Sequence, residues 1–157
     1  MIELNEDDFR PLEEFPLAWR WNDARRRILP VDVFSNIRPL TPDKAKEIYN
    51  QFGQRSQRYE GFLPSSFRLV NKINTSIIDA GVVRHWLEAH IQDQEQVVVL
   101  SWGATSAVAT TANIFCHFWD DFCYPASDDV TILPLSEVWI LVYFHEEVFS
   151  FGEHIET

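Results

Sequence analysis

"DVTILPLSEVWILVYFHEEVFSF", residues 129–151, decides the fold. Three runs rich in β-branched and aromatic residues, 129–134, 137–144 and 147–151, are separated by short polar turns around Ser136 and at 145–147. That spacing predicts an antiparallel meander. Upstream, "VVVLSW" at 97–102 is nearly all apolar and reads as a strand covered on both faces. Gly103 then turns the chain. Val108, Ala112, Phe115, Trp119 and Phe122 step by four, three, four and three, which predicts one helix from about Thr105 to near Tyr124, where Pro125 stops it.

Earlier elements are shorter. In "LTPDKAKEIYNQF", Thr41 is an N-cap, Pro42 suits the first helical position and Asp43 faces the positive end of the dipole. Ala45, Ile48, Tyr49 and Phe52 make its apolar stripe, so this helix runs from Pro42 and weakens around Gly53. "SFRLVNKI" alternates loosely, with Phe67, Leu69 and Ile73 on one side and Arg68 and Lys72 on the other, as a half-exposed strand does. Val83, Trp86, Leu87, His90 and Ile91 fall at helical spacing and predict a helix over about 80–92. The expected fold is a single α+β domain, mainly an antiparallel sheet with a C-terminal strand meander and helices packed on one face. Pro30 and Pro39 break up residues 1–40, expected as an irregular wrap around a main core at 41–157.

A chain of 157 residues that is 46% apolar suits one compact domain. The opening "MIELNEDDFR" has no basic segment followed by an apolar one, so no secretory signal is read and a cytoplasmic location is expected. Residues 96–119 carry no formal charge, but Gly103, Asn113, His117 and several Ser and Thr mark a buried strand and helix rather than a membrane span. Cys116 and Cys123 are seven apart, about 10 Å on one helix, beyond disulfide reach. They are expected as reduced, half-buried thiols.

Charge is segregated along the chain. Thirteen Lys and Arg stand against twelve acids through Arg84, a net +1; beyond it lie twelve acids and no Lys or Arg, a net −12. Such a field attracts a cationic partner and repels nucleic acid and anionic membrane, though acidity also serves solubility alone.

"CHFWDDFCYPASDD", residues 116–129, concentrates this charge among aromatic side chains. With the helix ending near Tyr124, Asp120 and Asp121 fall at its C-terminus, where the dipole disfavours them. Asp128 and Asp129 lie across the "YPAS" turn and are expected to approach them. Three roles are open: an Asx turn using Asp128 or Asp129, a partner-binding face anchored by Trp119 and Tyr124, or a divalent-ion site. The last lacks the spacing and glycine of an EF-hand loop.

The five histidines, His85, His90, His117, His145 and His154, all lie in the acidic part, without the i, i+4 spacing of a zinc helix motif. G-x-S-x-G, Walker A and G-x-G-x-x-G sequences are missing, so no catalytic, metal-binding or cofactor-binding residue is assigned. Arg25, Arg26 and Arg27 read as a solvated face or as partners for the acids. Trp19 and Trp21, in "LAWRWNDARRR", are candidates for exposed anchors.

The run "FCHFWDDFCYPASDDVTILPLSEVWILVYFHEEVFSF" resembles the C-terminal half of small bacterial proteins among the immunity proteins of polymorphic and contact-dependent toxin systems. Trp119, Asp120, Asp121, Phe122, Tyr124, Pro125, Asp128 and Asp129 carry the likeness, with His145, Glu146, Glu147 and Phe149. The resemblance implies a non-catalytic protein that binds a basic toxin domain, such as a nuclease, and blocks it. Its partner-binding residues would be Trp119, Asp120, Asp121, Tyr124, Asp128, Asp129, Glu146 and Glu147. The alternatives are a metal- or small-ligand-binding enzyme using the same acids with His117 or His145, and an acidic scaffold with no tight partner.

Overall fold

The structure is a computed structural model that describes residues 1–58 and 61–156; Thr157 and the side chains of Arg27, in the basic run, Arg55 and Arg58 lie outside the described residues. Its centre is one antiparallel sheet of seven strands. Strands β4 (Val97–Ser101) and β5 (Ala107–Thr111) form a hairpin, and β6 (Val130–Pro134), β7 (Trp139–Phe144) and β8 (Val148–His154) form the expected meander. The short β2 (Arg38–Pro39) borders β5, and β3 (Phe67–Asn74) pairs with β8, giving the order β2-β5-β4-β6-β7-β8-β3. The two-residue β1 (Arg27–Ile28) stands apart and bridges Asn22 through Ile28.

Alternation along the strands splits the apolar residues into two cores. Val98, Leu100, Ile132, Leu141 and Phe149 face one way; Val99, Leu133, Ile140 and Val142 face the other. On the first face lie α5 (Ala80–His90), α6 (Ala112–His117), α7 (Trp119–Phe122) and the N-terminal α1 (Trp19–Asn22). α2 (Val31–Phe34) sends Val33 and Phe34 against this same core. The second face carries α3 (Pro42–Ile48), whose Ala45 and Ile48 are buried with Phe52. Helices on one face is therefore correct for the later helices only. α3 covers the opposite face, because the β4 run is apolar at successive positions and both its sides need cover.

α3 begins as its sequence predicts, with Thr41 Oγ1 accepting from Lys44 N. A π turn at Tyr49–Gly53 carries it into α4 (Gln54–Arg58). α4 is held to the sheet by polar contacts: Ser56 Oγ lies 2.8 Å from Thr131 Oγ1, and Gln57 Nε2 donates to Ser101 O at 3.1 Å. In α5, Asp79 caps Gly81 N at 2.8 Å, and Val83, Leu87 and Ile91 are fully buried. These follow the predicted stripe.

Two expectations change. The single helix from Thr105 does not form: Trp102 N donates to Ser106 O across a turn that places Gly103 at φ 151°, and Ala107–Thr111 pairs with β4. The helix starts only after Thr111, which caps Ile114 N. In β3, a bulge between Leu69 and Asn71 shifts the register against β8. Phe67 therefore reaches the second core while Ile73 packs on the first, and Leu69 and Val70 are exposed at the bulge. Strict alternation had put Phe67, Leu69 and Ile73 together.

Candidate functional site

The acidic stretch is organised by a break in the helix. Phe118, at φ −119° and ψ 28°, separates α6 from α7. Asp120 and Asp121 consequently sit in the first turn of α7, not at a helix C-terminus as expected from the sequence. α7 is a single turn of four residues, so its dipole neither favours nor opposes them appreciably. Trp119 is a core residue: it meets Phe149 edge to face at 5.7 Å, and its indole Nε1 donates to Ala80 O at 3.1 Å. Asp121 is buried as well.

The last carbonyls of a helix need donors from elsewhere, and here they come from residues distant in the chain. Trp21 Nε1 donates to Asp121 O at 3.1 Å, and Trp102 Nε1 donates to Phe122 O at 3.0 Å. Arg20 Nη1 adds a longer contact to Phe122 O at 3.4 Å. This explains "AWRW": α1 turns Arg20 and Trp21 inward, where Trp21 is fully buried and stacked on Phe15. Trp21 is thus no exposed anchor, whereas Trp19 stays one-third exposed.

Arg20 is the hub of this region. Its guanidinium makes a bidentate pair with Asp128, at 2.5 Å from Nη1 to Oδ2 and 2.9 Å from Nη2 to Oδ1. Both side chains are about 95% buried, at 5% and 6% exposure. Asp128 Oδ2 also accepts from Tyr124 N at 2.8 Å, closing the 124–128 loop. The rings of Tyr124, Trp19 and Trp102 surround the guanidinium at 4.3, 5.4 and 5.7 Å. A planar cation that is bidentately paired and stacked on aromatic faces suits a buried site better than an ammonium would.

Asp129 is committed too. Its Oδ1 accepts from His145 N and from His145 Nδ1, each at 3.0 Å, joining the loop to the β7–β8 turn. Of the eight expected partner-binding residues, Trp119, Asp121 and Asp128 are interior and hold the fold. Tyr124, Asp129 and Glu147 are half-buried, and Asp120 and Glu146 are exposed. Of the three roles open for the stretch, the loop-bonding one describes Asp128 and Asp129.

Among the described residues, no group of three or more His, Cys, Asp or Glu is placed to hold a metal ion. Cys116 and Cys123 are free thiols and fully buried, more so than expected. Burial pushes the Cys116 thiol up to about 12 and raises Cys123 well above its ordinary range, so neither is poised as a nucleophile at neutral pH. His117 accepts from Arg84 Nη1 at 3.2 Å on the surface. No described helix is long and apolar enough to cross a membrane.

A large concavity among the described residues lies elsewhere, between the loop following α5 and the ends of β7 and β8. It is an open groove of about 870 Å³. Trp139 and Phe151, stacked at 5.7 Å, line it from the core side, and His90 packs on Phe151 at 5.0 Å. His90 is oriented by donating from Nδ1 to Trp86 O at 2.7 Å, and Asn71 Nδ2 approaches its Nε2 at 3.3 Å. Asp93, Glu153 and Glu156 also line the groove and are exposed. No local motif announces this site, because its residues come from four separate segments. The only hint in the sequence is the acidic content of the part after Arg84.

Comparison with known protein families, with curated proteins and with solved structures finds no match in any of the three.

Proposed function

We propose that this chain is an immunity-type binding protein that neutralises a basic toxin domain by covering its active surface. The observation that carries the reading is where six of the thirteen cations go. Arg20, Arg25, Arg38, Lys44, Arg68 and Arg84 each pair with a carboxylate of the chain itself. Among the described residues no ion pair engages Asp93, Asp120, Glu146, Glu147 or Glu156. The surface is left with uncompensated carboxylates, which steer a cationic protein toward it and add little to the chain's own stability.

The test has two steps. The tagged protein is incubated with bacterial lysate at about 50 mM and about 500 mM salt, because salt screens exposed charge pairs. A retained protein is identified and its toxic activity assayed with and without this chain. A basic protein held at low salt, weakened at high salt and inhibited in the complex is the expected result. Retained proteins whose activities are unchanged would refute neutralisation.

A further inference from the structure

The geometry points to the open groove between the end of α5 and the ends of β7 and β8 as the docking surface for a lysine- or arginine-bearing segment of a protein partner. This rests on the reading above and gives it a place on the molecule. The sequence singled out the 119–129 stretch, but there two of the four acids are spent on internal bonds, Asp128 on Arg20 and Asp129 on His145, and Asp121 is buried. The groove differs in three independent ways.

First, it is a real concavity, within the size range of ligand-binding clefts. Its floor is formed by the buried rings of Trp139 and Phe151, and an apolar floor suits the alkyl stem of a long cationic side chain. Second, its charge has one sign in excess. Asp93, Glu153 and Glu156 stand against Arg68 alone, and Arg68 already leans on Glu153 at 3.7 Å. α5 spans eleven residues, and its C-terminal end, with His90 on the groove, adds the negative end of its dipole. Third, Val138 and Ile155 line the same groove and are exposed large apolar residues, at 57% and 46%. Carboxylates beside exposed aliphatic surface fit a segment carrying both cations and apolar side chains, the composition of a protein interface and not of a simple salt site.

The probe is a fluorescein-labelled oligolysine peptide, titrated at low salt into the full chain by anisotropy, with backbone NMR shifts recorded in parallel. Two double charge reversals are compared: Glu153→Lys with Glu156→Lys in the groove, and Asp120→Lys with Glu146→Lys away from it. Both raise the net charge equally, so they weaken long-range attraction alike and differ only in place. All four side chains are exposed, and far-UV circular dichroism checks that each variant folds. The expected result is a loss of about tenfold in affinity or more for the groove pair. The other pair should lose no more than about threefold. Shifts should gather at residues 92–96, 136–139 and 151–156. Equal losses in the two variants, shifts centred on 119–129, or no binding to the unaltered chain would overturn the groove assignment. The toxin-neutralising reading fails separately, on the inhibition assay.

Discussion

Replacing Asp128 with alanine tests the claim that the acidic stretch is a structural device built around Arg20. The substitution removes both bonds of the bidentate pair and the acceptor for Tyr124 N, leaving a guanidinium that is 5% exposed without its counter-charge. Breaking a buried pair from one side costs about 3–5 kcal/mol. The cation keeps its three aromatic neighbours and a weak contact to Phe122 O, which offsets part of the loss. A cost of about 3–4 kcal/mol follows. For a domain of this size each kcal/mol lowers Tm by about 2–4 °C, so the expected fall is about 6–16 °C. Thermal and urea unfolding, followed by circular dichroism, measure it. Arg20→Met combined with Asp128→Leu removes both charges and should recover at least half of the loss, since an apolar replacement of a buried pair is often neutral. The exposed control, Glu6→Ala, breaks the surface pair with Arg38 and should leave Tm nearly unchanged. The reasoning is refuted if Asp128→Ala costs less than about 1 kcal/mol, or if the double variant is worse than the single one.

Two further outcomes follow from local geometry. At Gly152, opposite Leu69 beside the bulge, a Cβ would lie 3.0 Å from Arg68 O and 2.5 Å from Leu63 Cδ1, so Gly152→Ala should destabilise by about 1–3 kcal/mol in urea unfolding, and a neutral effect would show that β3 shifts freely. The buried thiols should resist iodoacetamide at pH 8 while the chain is folded and react once it is unfolded. Because folding raises the thiol pKa, the folded state holds protons that the unfolded state releases above pH 9.0, the ordinary value. Stability is therefore full below that pH and falls as pH rises toward about 12; a Tm that is flat or rising over this range in the wild type would contradict their burial.

How much of this was readable from sequence depended on how local the cause was. The meander was legible because 129–151 carries its β-rich runs and its turns within one short stretch. The misread helix at 105–111 was a coincidence of spacing: Val108 happens to continue the stripe of Ala112 and Phe115. The N-cap residue Thr111 and the turn-forming "WGATS" were the signals that marked the hairpin and the later helix start. The bulge in β3 left no trace in alternation, since it is imposed by pairing with β8. The Arg20–Asp128 pair joins residues 108 apart, and nothing near either one reports the other. The groove escaped for the same reason.

The bulged strand has a consequence for how the molecule is made. Among the described residues β3 finds its only strand neighbour in β8, which is made long after it, so the two cores that β3 spans cannot both close until β8 has left the ribosome. Until then Phe67 and Ile73 lack the strand they are to lie beside, and a stalled or truncated chain exposes them to whatever is nearby. Such long-range pairing slows folding. The protein should therefore depend on chaperone protection during synthesis more than its small size alone would lead one to expect.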